Sequence, residues 1–259
     1  MAGFLFDNIV FGPVYSRRLG VSLGINLLPN NSKYCNFNCI YCECGWTEIK
    51  KGEKIILPNR EELTTRLTNK LKNLKGTVNE PDTITFAGNG EPTIHPDFAG
   101  IIDDTIAIRD KYAPKAQISV LSNASMLHKP KVVKALKKIE LNIQKLDSGI
   151  ENTFNLINQT AKGLSFEKIV NGLLAFEGKL IIQTLFLRGE YNGHFIDNTT
   201  PEEIDAWLQL VKKINPEYVM IYPIDRGTPA KNLQKIPENQ LNEIAAQVEK
   251  AGIKTKVYY

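Results

Sequence analysis

The sequence is short of several things, and each shortage excludes something. It has four cysteines, all between positions 35 and 44. A disulfide framework staples distant segments; thiols packed into one short stretch do not, and they point to metal. Long apolar runs are missing. The strongest, Leu180–Leu187, is interrupted by Gln183 and Thr184 and is far too short to span a bilayer. The opening MAGFLFDNIVFGP is apolar, but Asp7 and Gly12-Pro13 break it, and it lacks the charged-then-apolar order of a leader. The expectation is a cytoplasmic protein with no membrane attachment. A large charge excess is missing too: 32 Lys and Arg against 28 Asp and Glu leave +4, which permits nucleic-acid contact without arguing for it. The three histidines, His95, His128 and His194, are scattered, and no catalytic role is assigned to them. There is no internal repeat and no low-complexity tract.

What is present is an ordinary globular composition, 42% hydrophobic and 23% charged, in an alternating pattern of strands and helices. The chain of 259 residues fits a single α/β domain. Strands are predicted at Val21–Leu28, Thr83–Ala87, Gln117–Leu121, Leu141–Leu146, Leu180–Leu187 and Tyr218–Ile224, with an extra one in Ile253–Tyr259. Helices are predicted at Arg60–Leu74, Phe98–Tyr112 and Lys131–Ile139, then one or two in Glu151–Phe176, one from Thr200, and one at Glu238–Lys250. Leu63, Leu67, Leu71 and Leu74 share one helical face. Asn59 is placed as an N-cap, as is Thr200 before Pro201. The domain reading is an N-terminal extension over 1–20, a barrel over 21–252 and an extra strand over 253–259.

Six alternating βα units predict parallel pairing with right-handed crossovers. The pattern leaves an open sheet and a barrel as alternatives. In both, function sits at the carboxyl ends of the strands, and there the sequence puts the cysteine loop, Gly90-Glu91, Ser122-Asn123, Lys145 to Asp147 and Asp225-Arg226.

The loop reads Cys35-Asn-Phe-Asn-Cys39-Ile-Tyr-Cys42. Cubane iron–sulfur clusters normally take four thiolates. Three close cysteines with no distant fourth leave one iron open, which suits coordination of a substrate. The alternative is a zinc knuckle with Cys44 as fourth ligand, although structural zinc sites usually pair two separated C-x2-C units, and Cys42 and Cys44 lie only one residue apart. Cys44 is read as a thiol near the cluster. Trp46 follows the loop as a shield against water and oxygen. Arg17-Arg18 is a solvated pair or, beside a barrel mouth, an anion contact.

The C-x3-C-x2-C spacing with an aromatic, Tyr41, before the last cysteine resembles the signature of the radical S-adenosylmethionine (SAM) superfamily. The resemblance implies a [4Fe–4S] cluster on Cys35, Cys39 and Cys42. SAM would chelate its open iron and be split by one-electron reduction to a 5′-deoxyadenosyl radical that abstracts hydrogen from substrate. It also implies an external one-electron donor such as flavodoxin or ferredoxin. Gly88-Asn-Gly-Glu-Pro92 is similar to the family's Gly-Gly-Glu turn; Asn89 interrupts the glycine pair, so Gly90 and Glu91 are the positions that transfer. Tyr41, Asn123, Lys145, Asp147, Gln183 and Arg188 complete the expected SAM-binding set, Arg188 with a substrate phosphate as its other candidate partner. Capping of the following helix competes as a role for Asn123 and Asp147.

The segments FGPVYSRRLGVSLGINLLP, KYCNFNCIYCECGW, SNASMLH, QKLDSG, LFLRGEYNG and IYPIDRGTPAKNL resemble a bacterial subgroup related to the tRNA wyosine-base synthases. This implies a partial (βα)6 TIM-like barrel of the radical SAM type, in a single domain, and a tRNA base as candidate substrate. The chain departs from those synthases in having no cysteine outside the loop for a second cluster, which puts pyruvate-using chemistry in doubt. A small-molecule or peptide substrate, and a non-enzymatic zinc or iron–sulfur protein, stand as alternatives. Lys70–Lys75 and Lys129–Lys138 would supply phosphate contacts or are solvated helix faces.

Overall fold

A computed structural model describes residues 3–48 and 55–259. In chain order the elements are β1 (Val10–Ser16), β2 (Gly20–Ile25), α1 (Arg60–Leu74), β3 (Thr83–Phe86), α2 (Phe98–Tyr112), β4 (Gln117–Ser122), α3 (Pro130–Leu136) and β5 (Leu141–Lys145). They continue with α4 (Glu151–Asn158), α5 (Phe166–Leu174), β6 (Ile181–Tyr191), β7 (His194–Asp197) and α6 (Pro201–Ile214). The last are β8 (Tyr218–Pro223), β9 (Asn232–Lys235), α7 (Glu238–Lys250) and β10 (Thr255–Val257).

The sheet runs β1-β2-β3-β4-β5-β6-β8-β10. All neighbours from β2 to β10 pair in parallel, and β1 lies antiparallel on β2. No pairing joins β1 to β10 among the described residues, so the barrel is partial and open on one side. Helix starts follow from the sequence: Asn59 accepts from the Glu62 N–H, and Thr200 from the Glu203 N–H.

Alternation along each strand divides the residues between two faces. The outer face packs on the helices, as where Phe186 meets Trp207 edge to face at 5.3 Å. The inner face encloses the barrel. The two polar residues of β6 separate accordingly. Gln183 turns inward, whereas Thr184 turns outward, accepts from Trp207 Nε1 at 3.1 Å and donates to Leu146 O at 2.7 Å. The amino ends of the strands are closed inside by a small apolar cluster of Leu19, Ile143, Ile181 and Met220.

Two features depart from the sequence pattern, and a third resolves an alternative that the pattern left open. Residues 10–16 form β1, which no alternation announces. The β6 strand continues past the predicted end at Leu187 to Tyr191, where β7 and β9 pair with its two edges. The segment 151–176 divides into α4 and α5, because Gln159 takes the left-handed conformation (φ 43°) and Thr160 bridges to Phe37 of the cysteine loop.

Candidate active site

The cysteine loop is held from three sides. Its start pairs with the turn after β3: Tyr34 N donates to Asn89 O at 2.8 Å, and Glu91 N donates to Tyr34 O at 3.2 Å. Gly90 is required there, since with φ 140° an added Cβ would fall 2.0 Å from Tyr34 O. The middle of the loop caps α4. Asn38 N donates to Asn158 O and Ile40 N to Ile157 O, both at 2.9 Å, so two carbonyls that a helix end leaves orphaned are satisfied by the loop itself. Phe37 and Ile40 are buried anchors, and Ala230 N closes the third side by donating to Ile40 O.

Asn89 explains the interrupted glycine pair. Its buried side chain accepts from Phe6 N and donates to Phe6 O and Pro29 O, all at 2.8 Å. This clamps the N-terminal segment over the barrel, where Phe6 stacks on Phe11 at 3.7 Å.

Cys35, Cys39 and Cys42 all line one cavity of about 610 Å³, within the ordinary range for a ligand site. Burial pushes the Cys35 thiol up to about 12, with the Glu91 carboxylate adding to the rise. Cys39 is also raised by burial, against the opposing Lys145 charge. Cys42 is pulled down to about 5, chiefly by a hydrogen bond from the Cys44 thiol, with Lys33 assisting against burial. Cys44 is correspondingly raised as the donor, and its Sγ also lies 3.3 Å from Gly88 O.

The surrounding charges test whether a thiolate-bound cluster fits. Lys33 is buried, with its Nζ on Gly45 O at 2.9 Å and Asn38 Oδ1 at 3.4 Å. Among the described residues no carboxylate lies within ion-pair distance of it. Lys145 Nζ sits 3.4 Å from Cys39 Sγ, 2.5 Å from Tyr41 Oη and 3.7 Å from Asp147 Oδ2. Burial works to lower the Lys145 pKa, but Cys39 and Asp147 outweigh it and hold the group an ammonium. A buried cation without an anion is costly, and a cluster carrying three thiolates supplies negative charge at that place. Moreover, among the described residues no three His, Cys, Asp or Glu side chains converge on a single metal ion. In a cubane each thiolate binds a different iron, so the three cysteines fit a cluster better than one zinc.

Of the residues singled out for SAM, Tyr41, Gly90, Glu91, Asn123, Lys145 and Gln183 line the cavity. The buried Glu91 carboxylate accepts from Thr93 N at 3.0 Å and Asn123 N at 2.6 Å, and burial raises its pKa against those hydrogen bonds. Asn123 Nδ2 points at Asn36 Oδ1 (3.0 Å) and Cys35 Sγ (3.5 Å). Asp147 is fully buried one step behind the lining, where it accepts from Tyr41 Oη at 2.6 Å and Leu185 N at 3.1 Å. It holds Tyr41 and Lys145 rather than facing the cavity. Arg188 is outside the cavity, on the extension of β6. Its Nη2 donates to Thr199 Oγ1 and Gln240 Oε1, and its Nε lies 3.4 Å from Asp197 Oδ2.

The sequence reading passed over Lys33, whose burial no periodicity signals, and left Arg17-Arg18 without a partner. Both arginines line the cavity. Arg17 pairs with Asp225 at 2.6 Å, and Arg18 lies over the Tyr222 ring, 4.7 Å from its centroid.

Comparison with known proteins places these features. The sequence model described as the radical SAM superfamily matches residues 32–211. A protein of Helicobacter pylori described as a UPF0026 protein is 33% identical over 238 residues, which cover 90% of this chain and 71% of the relative. A Brachyspira hyodysenteriae protein described as GTPase Obg is likewise 33% identical over 238 residues, but these are 32% of that relative; the chain spans about a third of its length and itself carries no GxxxxGK[ST] phosphate loop. In fold, the structure of TYW1 with a bound lysine–pyruvate adduct matches with a TM-score of 0.62 at 14% identity, covering 90% of this chain and 75% of that one.

Proposed function

Because the chain belongs to the radical SAM superfamily, we propose that Cys35, Cys39 and Cys42 hold a [4Fe–4S] cluster with which the protein works as a radical SAM enzyme, acting on a nucleic-acid base, with a tRNA base as the candidate. When bound, cluster and SAM together supply a 5′-deoxyadenosyl radical, given one electron from an external donor such as flavodoxin or ferredoxin. The chain's own residues do the rest. Lys33 and Lys145 balance the negative charge of the thiolates. Asp147 fixes Tyr41 and Lys145 against the cluster side of the cavity. Glu91, buried and tied to Asn123, sets the wall where the SAM amino group would dock, and Gly90 lets the cysteine loop approach that wall. Phe6 and Phe11 shield the interior from water.

The observation that carries this reading is the coincidence, in one cavity, of three thiols and two buried cations: Lys33, with no carboxylate within ion-pair distance among the described residues, and Lys145, shared between Asp147 and Cys39. Anaerobic reconstitution tests it. Iron and sulfide in a one-to-one ratio, with 5′-deoxyadenosine formed from SAM under a reductant, are expected. Zinc in the purified protein, or a cluster indifferent to SAM, would sink the assignment.

The tRNA reading rests on the wyosine-synthase resemblance and on the cavity mouth. There Arg17, Arg18 and Arg226 accompany the exposed aromatics Phe4 and Tyr15, and base stacking on aromatics beside cationic groups is a common mode of RNA contact. Salt-dependent binding of unfractionated tRNA is its measurement. Binding that does not weaken as salt rises would favour a small substrate instead.

A further inference from the structure

Three arginines line the cavity, and two are matched. Arg17 Nη2 lies 2.6 Å from Asp225 Oδ2, and Arg226 Nη1 lies 2.8 Å from Glu43 Oε2, both as exposed pairs. Arg18 differs. Its guanidinium is half-buried over the face of Tyr222, and Nη1 donates to the neutral Gln183 Oε1 at 3.2 Å. Among the described residues no carboxylate pairs with it. A guanidinium offers several N–H donors in a planar fork. Gln183 takes one, and Tyr222 takes at most a second. The remaining donors have no protein partner among the described residues on a side chain that lines the cavity, and an oxyanion, which meets the fork with two parallel hydrogen bonds, is the ligand that completes them.

Arg18 enters the cavity from a different part of the chain than the cysteines. Arg18 belongs to the turn that enters β2, while the cysteine loop follows the exit of β2. The six residues of that strand span roughly 20 Å at about 3.3 Å each. The Arg18 head lies over the Tyr222 ring and against Gln183, whereas the cations in contact with the cysteine loop are Lys33 and Lys145.

We propose that Arg18 anchors an oxyanion of the substrate, a phosphate or a carboxylate, in the cavity beside Tyr222 and Gln183. The proposal deepens the reading of this cavity as a radical SAM active site and rests on it for the word substrate; the binding itself can be measured without turnover.

The test titrates the cluster-loaded protein calorimetrically with phenyl phosphate and with benzoate, each with and without saturating SAM. The expected result is saturable binding of at least one probe, weakened about tenfold or more by Arg18→Gln, partly kept by Arg18→Lys, and kept by Arg66→Gln, an exposed arginine of α1 that does not line the cavity. Binding of phenyl phosphate alone would identify a phosphorylated substrate, and of benzoate alone a carboxylate. The proposal is overturned if neither probe binds, if Arg18→Gln binds like the parent, or if SAM displaces the probe, which would make Arg18 a reader of the SAM carboxylate. Should Arg18→Gln not fold, Tyr222→Leu must weaken the probe by itself, and unchanged binding there overturns the proposal equally. A protein that binds the probe through Arg18 yet takes up no cluster would refute the enzymatic reading while leaving the anion site standing.

Discussion

The two ends of the strands enclose the same barrel and are made of opposite materials. At the amino ends Leu19, Ile143, Ile181 and Met220 close the interior with aliphatic packing. At the carboxyl ends stand thiols, the buried carboxyl groups of Glu91 and Asp147 and buried ammonium groups, several of which depend on one another for compensation. Packed aliphatic groups stabilise without further conditions. Buried charges are at best neutral unless each has its partner. The contrast teaches that the closed end stabilises the barrel and that the open end uses that stability to hold polar groups where chemistry needs them.

The contrast breaks if substitutions at the two ends have the same consequences. The largest expected effect is at the open end: Cys39→Ala should remove the cluster, seen as loss of bound iron and of the broad absorption in the blue after anaerobic reconstitution. Its chain should remain folded by circular dichroism, because the thiol contributes little to packing. At the closed end the pattern should reverse. Met220→Ala leaves a hole among Leu19, Ile143 and Ile181 and should cost about 2–5 kcal/mol in urea unfolding, while iron loading of the folded protein is unchanged. Loss of the cluster in Met220→Ala under native conditions would erase the distinction.

Two glycines sharpen it further. Gly90→Ala meets Tyr34 O at 2.0 Å from a backbone with φ 140°, whereas Gly76→Ala, with φ 74°, meets nothing within 4 Å. Each substitution carries backbone strain of about 1–3 kcal/mol, read by urea unfolding. Only Gly90→Ala should also displace Tyr34, and with it the adjacent Cys35, so that cluster loading falls. Equal loading in the two variants would show that the turn after β3 does not position the cysteine loop.

How much of this was legible in the sequence depended on how local each signal is. The cysteine spacing, the apolar strands and the Asn59 and Thr200 caps are local, and they are found where the pattern puts them. The β1 strand carries no alternation, because Gly12-Pro13 interrupts it and the successive residues Val14 and Tyr15 are both exposed. Helix 151–176 reads as one or two because Gln159 is not a glycine, yet the pairing of Thr160 with Phe37 breaks it there.

The site residues divide along the same line. Arg188 is attractive because it follows an apolar run, but β6 continues beyond the rim and carries it to Asp197 and Gln240. Arg18, which does enter the cavity, meets a glutamine 165 positions away. Lys33 gives no hint of burial, since its surroundings are the backbone of the loop that folds back over it. Asp147 sits at a strand end as expected, but Tyr41 closes over it from the loop. Spacing finds ligands that lie together in the chain; counter-charges come from wherever the fold brings them.

The smallest expected effect concerns a group that belongs to neither end. His95 is buried beside the turn after β3, and its ring is satisfied as a neutral imidazole: Nδ1 accepts from Asp97 N at 3.1 Å, so Nε2 carries the proton and donates to Pro58 O at 2.9 Å. Burial lowers its pKa below the ordinary value of about 6.5, against the opposing effects of Pro58 O and Asp97. A depressed histidine binds fewer protons in the folded chain than in the unfolded one. Its contribution is therefore present above pH 6.5 or so and is lost as pH falls through the lower folded value. Protonation would also turn an Nδ1 donor against the Asp97 N–H, which then has no acceptor. Urea unfolding at pH 7.5 and pH 5 should show the parent losing more stability on acidification than His95→Gln, whose amide does not titrate. Equal losses would place the acid sensitivity elsewhere, and not on Glu91, because a carboxyl whose pKa burial raises gains rather than loses stability as pH falls.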